Sequence, residues 1–192
     1  MRIVGGALGG RRLVAPAGVA TRPTSDRVRE ALFSALEARL GQGLGSASVL
    51  DAYAGSGALG LEALSRGAAY AVFVERETRA LAAIKRNVAE LDLAEKSRVL
   101  PGDVRRLAKR GMPEAPFSLL FLDPPYRIDR SEVRGVIDAL ISSGALTESA
   151  LVVWEHASED GPEWPPGVHP VSERRYGSTT VSIGQVEGVG TG

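Results

Sequence analysis

The chain changes its hydrophobic period several times, and each change marks an element. Residues 1–23 are Gly-rich with short alternation: Arg2-Ile3-Val4 and Arg11-Arg12-Leu13-Val14 are separated by Gly5-Gly6 and Gly9-Gly10, which predicts a small hairpin. Residues 25–40 place Val28, Ala31, Leu32, Ala35, Leu36 and Leu40 on one stripe, with Thr24 or Ser25 as N-cap and Gly41 as terminator. This predicts an amphipathic helix whose polar face holds Arg27 and Arg29. Short apolar runs then follow at 48–52, 71–75, 98–101, 117–122 and 150–155, the pattern of strands covered on both faces. Helical stripes separate them: 59–66 ending at Gly67, then Ala80, Leu81, Ile84, Val88 and Leu91, then Val133, Val136, Ile137, Leu140 and Ile141 ending near Gly144.

Repeated strand–helix alternation implies an α/β fold with a doubly wound, mostly parallel open sheet that receives ligands at the carboxyl ends of its strands. The last part breaks the rhythm. Residues 156–170 are rich in Pro, Gly and acid, and 171–175 joined to 180–183 through Tyr176-Gly177-Ser178 predict an antiparallel hairpin on the sheet edge. The organisation expected is an N-terminal hairpin extension over 1–23, a main domain over 24–184 and a disordered tail over 185–192.

Composition narrows the class. A chain of 192 residues is one domain's length, and with no cysteine and only His156 and His169 it is expected to hold neither a disulfide nor a structural metal. No leader-like apolar run opens it and none reaches membrane-spanning length, so a cytoplasmic protein without a membrane partner is expected. Charge is balanced overall, 23 basic against 23 acidic, but uneven along the chain: seven arginines in residues 1–40 face only Asp26, Glu30 and Glu37. Arg suits bidentate phosphate contact, so Arg11, Arg12, Arg22, Arg27 and Arg29 are candidate docking residues for a polyanion, which Arg105, Arg106, Lys109 and Arg110 would extend. A plainer role competes: Arg27 and Arg29 flank the apolar stripe and either could pair with an acid.

The candidate chemistry lies in two segments. Val49-Leu50-Asp51 leads into Gly55-x-Gly57-x-x-Gly60 and a helix, and Glu75 stands 20 residues after Gly55, where a ribose-binding acid belongs. That spelling alone would suit a dinucleotide. Asp51, at the strand tip, would repel a pyrophosphate and attract the ammonium of a methionine moiety, which favours S-adenosyl-L-methionine. Its alternative role is an acid favoured by the helix dipole. Asp103, after the third strand, would accept from an adenine amino group, or else serve as an N-cap. The cofactor is therefore assigned to Asp51, Tyr53, Gly55, Ser56, Gly57, Glu75, Asp103 and Val104.

The second segment is Asp123-Pro124-Pro125-Tyr126, closing the apolar run 117–122. Each proline fixes its own φ and holds the residue before it extended, so the corner is rigid in advance of any ligand. Prolines carry no N–H, so the corner offers acceptors, the Asp123 carboxylate and the Pro124 carbonyl, suited to an NH2 group. Tyr126 supplies a flat face for an extruded base. Asp123, Pro124 and Tyr126 are the catalytic candidates.

These two segments, with residues 51–68 and the run Thr21-Arg22-Pro23-Thr24-Ser25-Asp26-Arg27-Val28-Arg29-Glu30-Ala31-Leu32-Phe33, resemble the RsmD-type methyltransferases across nearly the whole chain. The resemblance implies a Rossmann-like class I methyltransferase: a seven-stranded, mostly parallel sheet, an antiparallel C-terminal hairpin and a short N-terminal β extension. It implies methylation of a guanine N2 in 16S rRNA, presented by the small ribosomal subunit or its assembly intermediate; a monomer without metal is expected. Tyr53 and Tyr126 stand where many relatives have Phe, and both keep an aromatic ring. Competing readings are a DNA adenine-N6 methyltransferase, a glutamine-N5 methyltransferase, a non-catalytic RNA-binding module and a dehydrogenase.

Overall fold

A computed structural model describes residues 1–16, 25–41, 43–125, 127–159 and 161–188. Its elements are α1 (Asp26–Leu40), β1 (Ser48–Asp51), α2 (Ala58–Ser65), β2 (Tyr70–Glu75), α3 (Thr78–Glu90), β3 (Ser97–Pro101), α4 (Val104–Arg110), β4 (Phe117–Leu122), α5 (Arg130–Ser142), β5 (Leu146–Ala157), β6 (Val168–Tyr176) and β7 (Thr179–Val186). The strands follow the order β3-β2-β1-β4-β5-β7-β6. Strands β1, β2 and β3 pair in parallel, as do β4 and β5, whereas β7 pairs antiparallel with β5 and with β6. This is the expected seven-stranded, mostly parallel Rossmann-like sheet with its antiparallel C-terminal hairpin. The chain divides into two compact units, Met1–Gly102 and Asp103–Gly192.

In the first unit, Ser25 caps α1 by accepting from the Val28 N–H at 3.3 Å, and Leu32, Phe33 and Leu36 are buried. Burying each such side chain contributes roughly 1.5–3 kcal/mol. Arg29 departs from the sequence expectation. It lies on the buried side of α1, 1% exposed, with its guanidinium donating to the Asp26 carboxylate at 2.7 Å and to the Arg2 carbonyl at 2.6 Å. A buried cation needs such partners, so Arg29 is removed from the docking surface. Strands β1 and β2 present Val49, Leu50, Ala71, Val72, Phe73 and Val74 as a buried run.

The N-terminal segment forms the expected hairpin in minimal form, a single antiparallel bridge between Arg2 and Arg12. Its cohesion comes from α2. The Glu62 carboxylate, fully buried, accepts from the Val4 and Gly5 N–H groups at 2.7 and 2.8 Å, and Ser65 accepts from the Leu8 N–H and donates to the Gly5 carbonyl. Arg66, directly after α2, pairs with Glu62, Glu30 and Glu37 and lies over the Phe33 ring at 5.2 Å. Burial works against its charge, and the three carboxylates, led by Glu62, more than offset this and raise its pKa.

In the second unit, β4 occupies the anticipated span, with Phe117 and Leu119 to Leu122 buried. Strand β5 begins earlier than expected. Ser149 sits at φ 64, and the β4–β5 register shifts between Phe117 and Leu119, so the polar stretch Thr147-Glu148-Ser149 is absorbed as an irregularity. The expected tail is also corrected: Gln185 and Val186 belong to β7, and the Glu187 N–H donates to the Gly167 carbonyl at 2.8 Å. Helix α4 was anticipated only through the N-cap alternative for Asp103, because its seven residues carry four cations and too few apolar positions for a stripe.

Candidate functional site

The glycine loop joins β1 to α2, and its fingerprint glycines meet two demands, positive φ at Gly55 and Gly57 and close packing at Gly60. Gly57 is the N-cap of α2 in the left-handed region, φ 80. At Gly60 an added Cβ would lie 2.4 Å from Phe73 Cε1, so the helix packs on β2 at a distance only glycine allows. Gly55, at φ 56, is the contrary case: an added Cβ would meet nothing within 4 Å, so this glycine faces open space, where a ligand can approach the backbone.

Two carboxylates hold the loop. Glu75, at the end of β2, accepts from the Gly55 N–H at 2.8 Å through one oxygen and from the Arg76 and Glu77 N–H groups at 2.7 and 2.8 Å through the other. Three donors for roughly four lone-pair sites leave the carboxylate beside Gly55 able to accept one more hydrogen bond. Asp51, only 2% exposed, accepts from the Gly60 N–H at 3.0 Å. Asp51 thus fills the alternative role the sequence offered it, an acceptor at the N-terminus of α2 that holds the glycine loop from within. Burial, opposed by the Gly60 N–H and assisted by the nearby Glu75 charge, pushes its pKa up to about 7. Tyr53 and Ser56 are half-buried in the same loop.

Asp103 is the N-cap of α4, accepting from the Arg105 N–H at 2.9 Å, and both its oxygens also take the Arg105 guanidinium. The guanidinium in turn pairs with Glu132. The N-cap alternative for Asp103 therefore holds, and its carboxylate is already engaged where an adenine contact was expected. Val104 opens α4 with its side chain buried. Arg105, tied to two acids, leaves the docking surface; Arg106, Lys109 and Arg110 stay exposed along a groove on α4.

The corner after β4 has a different construction. Leu122 is buried and Asp123 exposed, so the side chain emerges where the strand ends. The Pro125 carbonyl accepts from the Ile128 N–H at 2.9 Å, closing a turn, whereas the Pro124 carbonyl takes no hydrogen bond among the described residues. Tyr126 lies outside the described residues, as does Arg22 of the docking set. Arg11 donates to the Glu90 carbonyl at 2.6 Å, and Arg12 and Arg27 are exposed, with no ion pair among the described residues.

Sequence reasoning missed three polar residues that organise the first unit: Glu62, Ser65 and Asn87, all buried. Two of them carried a signal. Glu62 is the one charged residue in α2, and Asn87 falls three residues after Ile84, on the buried stripe of α3. Among the described residues no cluster of three metal-ligating side chains occurs, and no helix is long and apolar enough to cross a membrane.

A family model described as Conserved hypothetical protein 95 matches residues 1–185. The Bacillus subtilis (strain 168) protein YlbH is 36% identical over 188 residues, covering 95% of this chain and 97% of its own length. Ribosomal RNA small subunit methyltransferase D of Escherichia coli (strain K12) is 38% identical over 161 residues, covering 84% of this chain and 77% of its own. The solved structure of Escherichia coli yhhF superposes with a TM-score of 0.82 at 36% identity, covering 97% of this chain and 98% of that one.

Proposed function

This chain belongs to the Conserved hypothetical protein 95 family, the RsmD-type methyltransferases, and from that premise we propose that it methylates ribosomal RNA from S-adenosyl-L-methionine, at the exocyclic N2 of a guanine in 16S rRNA. The cofactor supplies an electrophilic methyl group on a sulfonium sulfur. The residues of the glycine loop suit it: Gly55 leaves room for close approach, Glu75 retains acceptor capacity for ribose hydroxyls, and no phosphate-binding cation lies in the loop itself.

One observation carries the choice of acceptor. An exposed carboxylate, Asp123, ends a buried strand and is followed by two prolines, and the Pro124 carbonyl beside it takes no hydrogen bond among the described residues. An exocyclic amine is a weak nucleophile because its lone pair is delocalised into the ring, and it gains positive charge as the N–C bond forms and the S–C bond breaks. Two preorganised acceptors hold its N–H bonds, aim the lone pair and stabilise that charge. One N–H proton then leaves, with the Asp123 carboxylate as the group already hydrogen-bonded to it. In this reading Tyr126 stacks on the base, and Arg11, Arg12, Arg22 and Arg27 meet phosphates of the small subunit or its precursor.

Mass-spectrometric nucleoside analysis of 16S rRNA from cells with and without this protein tests the reading. Loss of one N2-methylguanosine is expected. An unchanged modification profile would overturn it, and loss of a different methylated nucleoside would keep the RNA substrate and move the target base.

A further inference from the structure

Asn87 is 1% exposed, and its side-chain amide bonds only to backbone groups outside its own helix. Oδ1 accepts from the Val14 N–H at 2.7 Å, and Nδ2 donates to the Val14 carbonyl and to the Ser56 carbonyl, each at 3.0 Å. The amide thus pairs with Val14 as a neighbouring strand's peptide would, and spends its second N–H on the glycine loop. Ser56 stands between Gly55 and Gly57, both at positive φ, so the direction of its carbonyl fixes the Ser56–Gly57 peptide plane, directly after the Gly55 that faces open space. Val14 closes the segment that carries Arg11 and Arg12, and Arg11 is anchored to the Glu90 carbonyl, three residues beyond Asn87 at the end of the same helix.

We infer that Asn87 is a positioning residue that links the N-terminal segment to the cofactor loop. Through one side chain, the placement of residue 14 and the orientation of the Ser56 carbonyl become a single setting. RNA engaging the segment and cofactor occupying the loop therefore favour each other, and by linkage the coupling is reciprocal. This coupling rests on the methyltransferase reading given under the proposed function. A merely structural Asn87 would glue the segment down and leave cofactor affinity alone once the protein is folded.

The test is calorimetric titration of S-adenosylmethionine into the full-length wild type, Asn87→Ala and Val14→Pro, each free and bound to small-subunit particles, with melting curves to confirm folding. Val14→Pro removes the N–H given to Oδ1 and touches no loop residue. Both variants should bind cofactor roughly 2- to 10-fold more weakly, the range one net hydrogen bond commands. KM for the cofactor should rise while kcat at saturation is kept, and the tightening that particles confer on the wild type should shrink in both. Wild-type affinity in both folded variants would overturn the inference alone. No binding by the wild type would overturn the functional reading and the inference with it. If Asn87→Ala does not fold, Val14→Pro decides by the same criteria.

Discussion

The glycine loop and the Asp-Pro-Pro corner are both strand-end turns, and they are made rigid by opposite means. The loop is held by hydrogen bonds: Glu75 binds Gly55, Asp51 binds Gly60, and Asn87 binds Ser56. The corner is held covalently, by two pyrrolidine rings, and its carboxylate is exposed. A turn fixed by side chains shares its functional groups with its architecture, so substitutions there change affinity and stability together. A turn fixed by prolines carries its backbone constraint in the rings, so altering the Asp123 carboxylate leaves that constraint in place.

The largest effect should separate the two regions most cleanly. Asp123→Ala is expected to lose roughly 10²-fold or more in turnover, as when one preorganised group stabilising transition-state charge is removed, with its melting temperature unchanged. A parallel fall in melting temperature would mean that the corner's carboxylate does have a structural role.

On the loop side, Gly60→Ala drives a methyl group to 2.4 Å from Phe73 Cε1. Overpacking of that kind costs about 1–3 kcal/mol, which chemical denaturation would read as a lower midpoint. Wild-type stability would show that α2 can move off β2.

The pH dependence of stability sharpens the contrast further. Asp51 rises from 3.8 to about 7 on folding, chiefly through burial. Below the lower value it is protonated in both states. Between the two the folded state keeps a proton that the unfolded state releases, so Asp51's contribution declines as pH rises through this window and is lost above it. Asp51→Asn should abolish that decline, so its stability relative to wild type should climb across the window. Parallel profiles would show that Asp51 is ionised throughout.

The smallest effect concerns RNA docking. Arg12→Ala combined with Arg27→Ala should lower the salt slope of particle binding by about 0.7–0.9 for each phosphate no longer neutralised and leave the cofactor affinity of the free protein alone. An unchanged slope would place docking elsewhere.

What the sequence made legible follows the same division. Strand β4 and the corner could be read directly, because an unbroken apolar run ending in Asp-Pro-Pro carries its constraint in local covalent geometry. The glycine spacing was equally readable, but the groups that hold the loop were not. Asp51 and Asp103 were expected to face ligands, and their binding of N–H groups at Gly60 and Arg105 depends on where helices start in space. Arg29 was read as surface because charge usually signals exposure, yet Asp26 three residues earlier and a carbonyl from the N-terminal segment make its burial possible. Pairing with a carbonyl so distant in sequence leaves no mark in periodicity.

In the proposed function the loop binds the cofactor and the corner transfers its methyl group, and a crossed measurement on two variants tests that division most directly, combining equilibrium binding of S-adenosylmethionine with single-turnover methyl transfer at saturating cofactor. Glu75→Ala should weaken binding by about 1.5–3 kcal/mol, the scale of a hydrogen bond to a charged group, and recover transfer once saturated. Asp123→Ala should bind like wild type and still transfer roughly 10²-fold more slowly. Near-wild-type transfer by Asp123→Ala, or undiminished binding by a folded Glu75→Ala, would contradict the division.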